Sequence, residues 1–137
     1  MVILDTNVVS ELMKAQPHPS VVDWLNRIGD IRIATTAITV AEITYGLERL
    51  PDGARKAELK RAFLTLLEVL GAVPLDESAA YKAGQFRALR DATGRPSTAS
   101  DMMIAGIAAV AGAQLATRNT KDFDRLPLTI TDPWAAN

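Results

Sequence analysis

Cysteine is missing from all 137 residues, and histidine occurs once, at His18. The first absence removes disulfide frameworks, thiolate zinc sites and cysteine nucleophiles, and it suits a reducing compartment. The second makes a zinc centre improbable. It also leaves no credible Ser-His-Asp set, because the one histidine sits in a turn between Pro17 and Pro19. His18 reads as a surface residue. No phosphate-binding glycine loop is present, since Gly29, Gly46 and Gly53 do not form one. Long apolar runs are absent as well. The longest, Met102 to Ala113, falls well short of the ~20 residues a spanning helix needs. The opening Met1-Val2-Ile3-Leu4-Asp5 has neither the basic lead nor the apolar stretch of a signal peptide. Neither sign of charge dominates: 15 Lys and Arg stand against 16 Asp and Glu, for a net charge of -1. That balance argues against a protein held on nucleic acid by bulk charge. It leaves room for an enzyme that touches a few phosphates and brings its own cations. The expectation is a soluble, cytoplasmic protein with no membrane segment.

Apolar residues make up 48% of the chain, which argues against disorder. The length suits one domain over residues 1–137. Val2-Ile3-Leu4 reads as a first strand. Asp5-Thr6-Asn7 is a polar turn into a helix, with Thr6 or Asn7 as its cap. Pro17 and Pro19 end that helix. Val21, Val22, Leu25 and Ile28 follow at helical spacing. Ile31 to Ala34 is a candidate second strand, and Thr35-Thr36 opens a helix with Val40, Ile43 and Leu47 on one face. After the turn Pro51-Asp52-Gly53, the residues Leu59, Phe63, Leu66, Leu67 and Leu70 form a strong amphipathic stripe. Val73-Pro74-Leu75 is a short strand whose proline suits a sheet edge or a strand end. Asp76 can cap the next helix, with Ala79, Ala83 and Phe86 inward. Beyond Gly94-Arg95-Pro96, one of Ser97, Thr98 and Ser100 caps a helix from Met102 to Gly112 that is apolar all round. Such a helix is expected to be buried on most faces. Gln114 to Thr117 is a further strand, Asn119 to Phe123 a helical turn, and Leu128 to Ile130 the last strand. Strands alternating with helices predict an α/β fold, a parallel sheet with helices on both faces. Sites in such sheets lie outside the carboxyl ends of the strands. The basic clusters Arg55, Lys56, Lys60, Arg61 and Arg87, Arg90, Arg95 read as solvated helix faces.

Four acids stand where an element meets a turn or where apolar residues flank them. Asp5 ends the first strand. Glu42 lies between apolar neighbours in Val40-Ala41-Glu42-Ile43. Asp101 is at the mouth of the apolar helix, and Asp122 follows the strand at Gln114 to Thr117 by one short turn. The α/β reading brings Asp5, Asp101 and Asp122 to one sheet edge, with Glu42 able to reach back. Crowded carboxylates raise one another's pKa, and divalent cations relieve that cost. All-oxygen donors favour Mg²⁺, Mn²⁺ or Ca²⁺. An acidic site of this kind suits phosphodiester cleavage by activated water. Each acid also has an ordinary reading. Asp5 could end a strand and cap a helix, Asp101 could answer a helix dipole, Asp122 could be a first-turn acid, and Glu42 could be solvent-exposed. Asn7, Thr117 and Asn119 could orient ligands or cap turns. Trp24 and Trp134 read as packing residues rather than base-stacking platforms.

Read in order, Ile3 to Leu12, Thr39 to Gly46, Asp101 to Ala105 and Ala116 to Phe123 resemble the motifs of PIN-domain nucleases. The spacing runs across nearly the whole chain. The closest resemblance is to VapC-type toxins of type II toxin–antitoxin pairs, in the FitB-like branch. It implies the PIN-like parallel sheet, Mg²⁺ or Mn²⁺, and hydrolysis of RNA. It implies an acidic site of Asp5, Glu42, Asp101 and Asp122, with Asp5 and Asp101 as direct metal ligands. Thr6, Asn7, Thr117 and Asn119 would support them. It further implies a homodimer, or a larger complex with a small antitoxin whose basic side chain enters the site. Two other readings stay open: an aspartate-nucleophile phosphatase built on Asp5, and a non-catalytic module that binds partners through the same fold.

Overall fold

The computed structural model describes residues 1–135. Its elements run β1 (Val2–Leu4), α1 (Thr6–Leu12), α2 (Pro19–Ile28), β2 (Ile33–Thr36), α3 (Ala37–Glu48), α4 (Ala54–Leu70), β3 (Ala72–Val73), α5 (Glu77–Ala92), α6 (Ala99–Val110) and β4 (Gln114–Ala116). A 3₁₀ turn at Thr120–Phe123 and β5 (Ile130–Thr131) complete it. The five strands form one sheet in the order β3-β2-β1-β4-β5. Every pairing is parallel. The predicted α/β architecture is what the chain adopts.

The chain winds outward from β1 to β2 and β3, then returns to the other side of β1 for β4 and β5. The order therefore reverses between β1 and β4, and a crevice opens beyond their carboxyl ends. The central strand β1 buries both faces. Ile3 packs with Phe86, Met102, Ile104 and Leu115 on the side of α5 and α6. Val2 and Leu4 pack with Trp24, Leu47, Phe63 and Leu70 on the other side. The period-2 alternation of side chains along β1 feeds both layers from three consecutive residues.

Local chemistry sets the ends of the elements. Asp76 Oδ1 accepts from Ala79 N at 2.9 Å to start α5. Gly71, at φ 72, closes α4 in the left-handed region and lets the chain turn straight into β3. Gly106 explains the small-residue stretch of α6. A Cβ there would stand 2.4 Å from Ala79 O and 2.9 Å from Ala83 N, so α5 and α6 touch backbone to backbone.

Several expectations shift. Asp5, not Thr6 or Asn7, is the N-cap of α1. The second strand is Ile33–Thr36 rather than Ile31 to Ala34. Thr35 belongs to that strand and only Thr36 caps α3, because Thr35 Oγ1 donates to Leu4 O of β1 at 3.0 Å. The third strand is Ala72–Val73, one residue early, and it does lie at the sheet edge. The apolar helix starts at Ala99 and ends at Val110, capped by Thr98. The last strand is Ile130–Thr131, drawn along by its pairing with Leu115 and Ala116. Arg90 is not on a solvated face. It is 4% exposed, with its guanidinium donating to both the main-chain oxygen and the carboxylate of Asp124.

Candidate active site

Asp5 follows β1 at the switch point and is 4% exposed. Neutral donors surround its carboxylate. Thr6 N donates to Oδ1 at 2.8 Å, and Thr117 Oγ1 and Asn7 Nδ2 donate to Oδ2 at 2.7 and 3.1 Å. Thr117 leaves β4 as Asp5 leaves β1, so the parallel pairing of Leu4 with Ala116 brings the two together. Thr117 Oγ1 also accepts from Asn7 Nδ2 at 3.3 Å and from Asn119 N at 3.1 Å. Arg118 N donates to Asn7 Oδ1 at 3.1 Å. Burial pushes the Asp5 carboxyl above its usual range. The hydrogen bonds from Thr117, Thr6 and Asn7 pull the other way, and the charge of Glu42 adds to the rise.

Glu42 is exposed on α3 but not loose. Thr6 Oγ1 donates to its Oε1 at 2.8 Å. Thr6 Oγ1 lies 3.0 Å from Thr39 Oγ1, and Thr36 Oγ1 donates to Thr39 Oγ1 at 3.3 Å. With Thr6 donating to Glu42, Thr39 must donate to Thr6, because each hydroxyl has one proton. A directed relay thus runs from Thr36 through Thr39 and Thr6 to Glu42. Thr36 and Thr39 are both fully buried. Sequence reasoning treated Thr36 only as a helix opener and passed over Thr39. The signal was the threonine density of Thr35, Thr36, Thr39 and Thr44 in one short stretch.

Asp101 lies in the first turn of α6, where Thr98 Oγ1 accepts from its backbone N–H at 3.1 Å. Its carboxyl is pushed up to about 6. Burial is the first cause. The charge of Asp5 follows, and Asp122 and Glu42 contribute further, against a lowering hydrogen bond to Thr98. Asp5, Asp122 and Glu42 are therefore each within electrostatic reach of Asp101, and Glu42 of Asp5. Asp122 is exposed, in the 3₁₀ turn beyond β4. Thr6, Asn7 and Thr117 all bond within the site. Asn119 enters through its backbone N–H, and its side chain does not cap the turn.

Among the described residues, the ion pairs involve Glu11, Glu48, Asp52 and Asp124, and none of the four clustered acids. A buried carboxylate held only by neutral donors, with the charges of Glu42 and Asp101 near it, is a site that a cation suits. No three His, Cys, Asp or Glu side chains among the described residues stand close enough to hold an ion by themselves. Mg²⁺ does not require that. It keeps several waters and takes one or two carboxylates together with substrate phosphate oxygens.

The fold and this site together define an α/β protein with an all-oxygen, acidic centre past the strand ends. The PIN domain family model matches residues 2–128, and the chain belongs to that family. Two curated relatives agree. The VapC ribonuclease Y4jK of Sinorhizobium fredii is 34% identical over 139 residues, covering 98% of each chain. Toxin FitB of Neisseria gonorrhoeae is 34% identical over 137 residues, covering 98% of this chain and 99% of its own. Among solved structures, FitAB bound to an IR36 DNA fragment superposes with a TM-score of 0.90 at 33% identity, over 100% of this chain and 98% of that one. Among the described residues no helix is long and apolar enough to cross a membrane.

Proposed function

We propose that this chain is a Mg²⁺- or Mn²⁺-dependent endoribonuclease and the toxin of a type II toxin–antitoxin pair, acting in the cytoplasm as one nuclease domain over residues 1–137. One observation carries the reading. The Asp5 carboxylate past the end of β1 is buried among neutral donors, the Asp101 carboxyl feels the charges of Asp5, Asp122 and Glu42, and none of these acids has an ion-pair partner among the described residues.

Asp5 and Asp101 are the residues that would hold the metal, with Glu42 and Asp122 acting directly, through water, or on a second ion. Bound there, the cation makes a water molecule more acidic and offsets charge on the leaving oxygen. The remaining work falls to the chain itself. Thr117, Asn7 and Thr6 N fix the Asp5 carboxylate in one orientation. Thr6 ties up Glu42 Oε1, so Oε2 is left to take the proton of the attacking water. The Thr36–Thr39–Thr6 relay holds that glutamate at the site although its surface is open to solvent. No side chain need form a bond to phosphorus.

The VapC ribonuclease relative supports an RNA substrate, and the solved FitAB structure supports a partner protein. An acidic site without its metal attracts an Arg or Lys side chain strongly, and a small antitoxin can supply one. Exposed apolar residues such as Tyr45, Leu64, Val69 and Tyr81 offer surface for the antitoxin and for a second copy in a homodimer.

The test is cleavage of a defined RNA pool with Mg²⁺ or Mn²⁺, with chelator controls and mapping of the cut ends. Cleavage that needs the metal is expected, and Asp5→Asn is expected to abolish it while leaving the fold intact. Cleavage by Asp5→Asn at the parent rate would refute the assignment. A phospho-aspartate trapped on Asp5 would indicate a phosphatase. Tight partner binding with no activity on any RNA would indicate a binding module.

A further inference from the structure

A second feature adjoins the acidic centre. An open cleft of about 490 Å³ is lined by Glu11, Lys14, His18, Arg118 and Trp134, among others. That volume falls in the ~300–1,000 Å³ span of small-ligand sites. The cleft is built rather than incidental. Glu11 is buried, and its carboxylate accepts from Lys14 Nζ and from His18 N, both at 2.9 Å. Those bonds hold Glu11 and fix the loop after α1, and they leave the Lys14 ammonium, 62% exposed, with further N–H donors. His18 Nδ1 accepts from Ser20 N at 3.1 Å, so Nε2–H is left to donate. Arg118 is exposed, and its guanidinium lies over the Trp134 ring, 5.1 Å from the centroid. Trp134 in turn packs on the core beneath. The indole thereby holds the guanidinium at the rim of the cleft.

The cleft is joined to the acidic centre by covalent and hydrogen-bonded steps already described. Arg118 follows Thr117, the donor to Asp5, and Arg118 N donates to Asn7 Oδ1. Glu11 lies four residues beyond Asn7 on α1, about 6 Å along the helix. That step is on the scale of one nucleotide.

We propose that this cleft is the subsite for a nucleotide adjoining the cleaved bond of single-stranded RNA. Its base stacks on the guanidinium of Arg118, which Trp134 positions, and Lys14 and His18 Nε2 meet its phosphate. Arginine planes and aromatic rings are the surfaces on which proteins stack unpaired bases. Trp134 is a positioning residue here, and Arg118 touches the substrate. The inference rests on the ribonuclease reading.

The test is fluorescence anisotropy of a short, labelled, single-stranded RNA of mixed sequence, titrated with the full chain in chelator across a salt series. Arg118→Ala is expected to weaken binding about tenfold, as loss of one stacked base does. Lys14→Met should instead reduce the slope of log affinity against log salt by about 0.7, the value for one phosphate charge on a single strand. Arg118→Lys keeps the charge but not the plane, so it is expected to weaken binding while retaining the parent slope. His18→Asn keeps the helix cap and is expected to bind a few-fold more weakly. Melting curves check that each variant is folded. Parent-like RNA affinity in Arg118→Ala and Arg118→Lys would overturn the subsite while leaving the ribonuclease reading intact. Loss of partner-protein binding in those variants, with RNA affinity unchanged, would overturn it in favour of a protein contact. A parent chain that neither binds nor cuts RNA would remove the ribonuclease reading first and the subsite with it.

Discussion

Asp101→Asn removes one charge from the acidic cluster and keeps the side chain's size and its place in the first turn of α6. Burial, with the charges of Asp5, Asp122 and Glu42, raises this carboxyl from 3.8 to about 6. Such a shift corresponds to ~3 kcal/mol between its two protonation states. The side chain is only half-buried, so solvent screening reduces the penalty to about 1–2 kcal/mol. The α6 dipole, which favours an anion at this end, returns about 0.3–1 kcal/mol. Repulsion and burial therefore win by a small margin. With metal removed and pH above 6, Asp101→Asn is expected to be more stable than the parent by about 1 kcal/mol. The sign of the pH dependence follows from the folded value lying above the unfolded one. The folded parent holds its proton more tightly, so the penalty is full above about 6 and vanishes below 3.8. The gap between parent and variant should close across that window. Saturating Mg²⁺ should reverse the order, because a cation that binds the folded parent stabilises it by mass action. Urea denaturation followed by far-UV circular dichroism reads both midpoint and slope. A variant less stable than the parent in chelator above this window would refute the crowding argument. So would a gap that stays constant across the pH range.

Three further outcomes test other parts of the structure. Thr117→Val leaves Asp5 without its shortest hydrogen bond and should slow RNA cleavage about 10–100-fold, the usual cost of losing a group that orients a metal ligand; a parent-like rate would detach Thr117 from the chemistry. Gly106→Ala should cost about 2 kcal/mol in the urea midpoint, because the added methyl meets main chain that cannot rotate away. Arg90→Met leaves the Asp124 carboxylate with only Arg95, and should cost about 2 kcal/mol given that Asp124 is partly solvated; an unchanged midpoint would show the buried pair to be neutral.

Much of the architecture was legible because it is written in local patterns. Val2-Ile3-Leu4 before a polar turn, the stripe from Leu59 to Leu70 and the apolar helix ahead of Gln114 each announce an element type. Boundaries were less legible. Thr35 reads locally as a helix opener, and only its contact with Leu4 O keeps it in the strand. Arg90 has the local pattern of a surface residue, and it is buried because the segment after the 3₁₀ turn folds over the end of α5. Motif order and their places at the ends of elements singled out the four candidate acids. Their support was partly legible: Thr6, Asn7 and Thr117 were expected, whereas Thr36 and Thr39 were not.

The order of strands and helices, the chemistry available without cysteine and with one histidine, and the identity of four acids all came from the amino-acid sequence. Periodicity and residue type act over a few residues, and they can be read along a line. The tertiary structure alone decided that Asp5 meets Thr117 across 112 positions, that a threonine relay ends at Glu42, and that Arg118 lies over the Trp134 ring. Such pairings arise when buried layers on both faces of a parallel sheet bring distant strand ends side by side, and no local pattern encodes which ends those are.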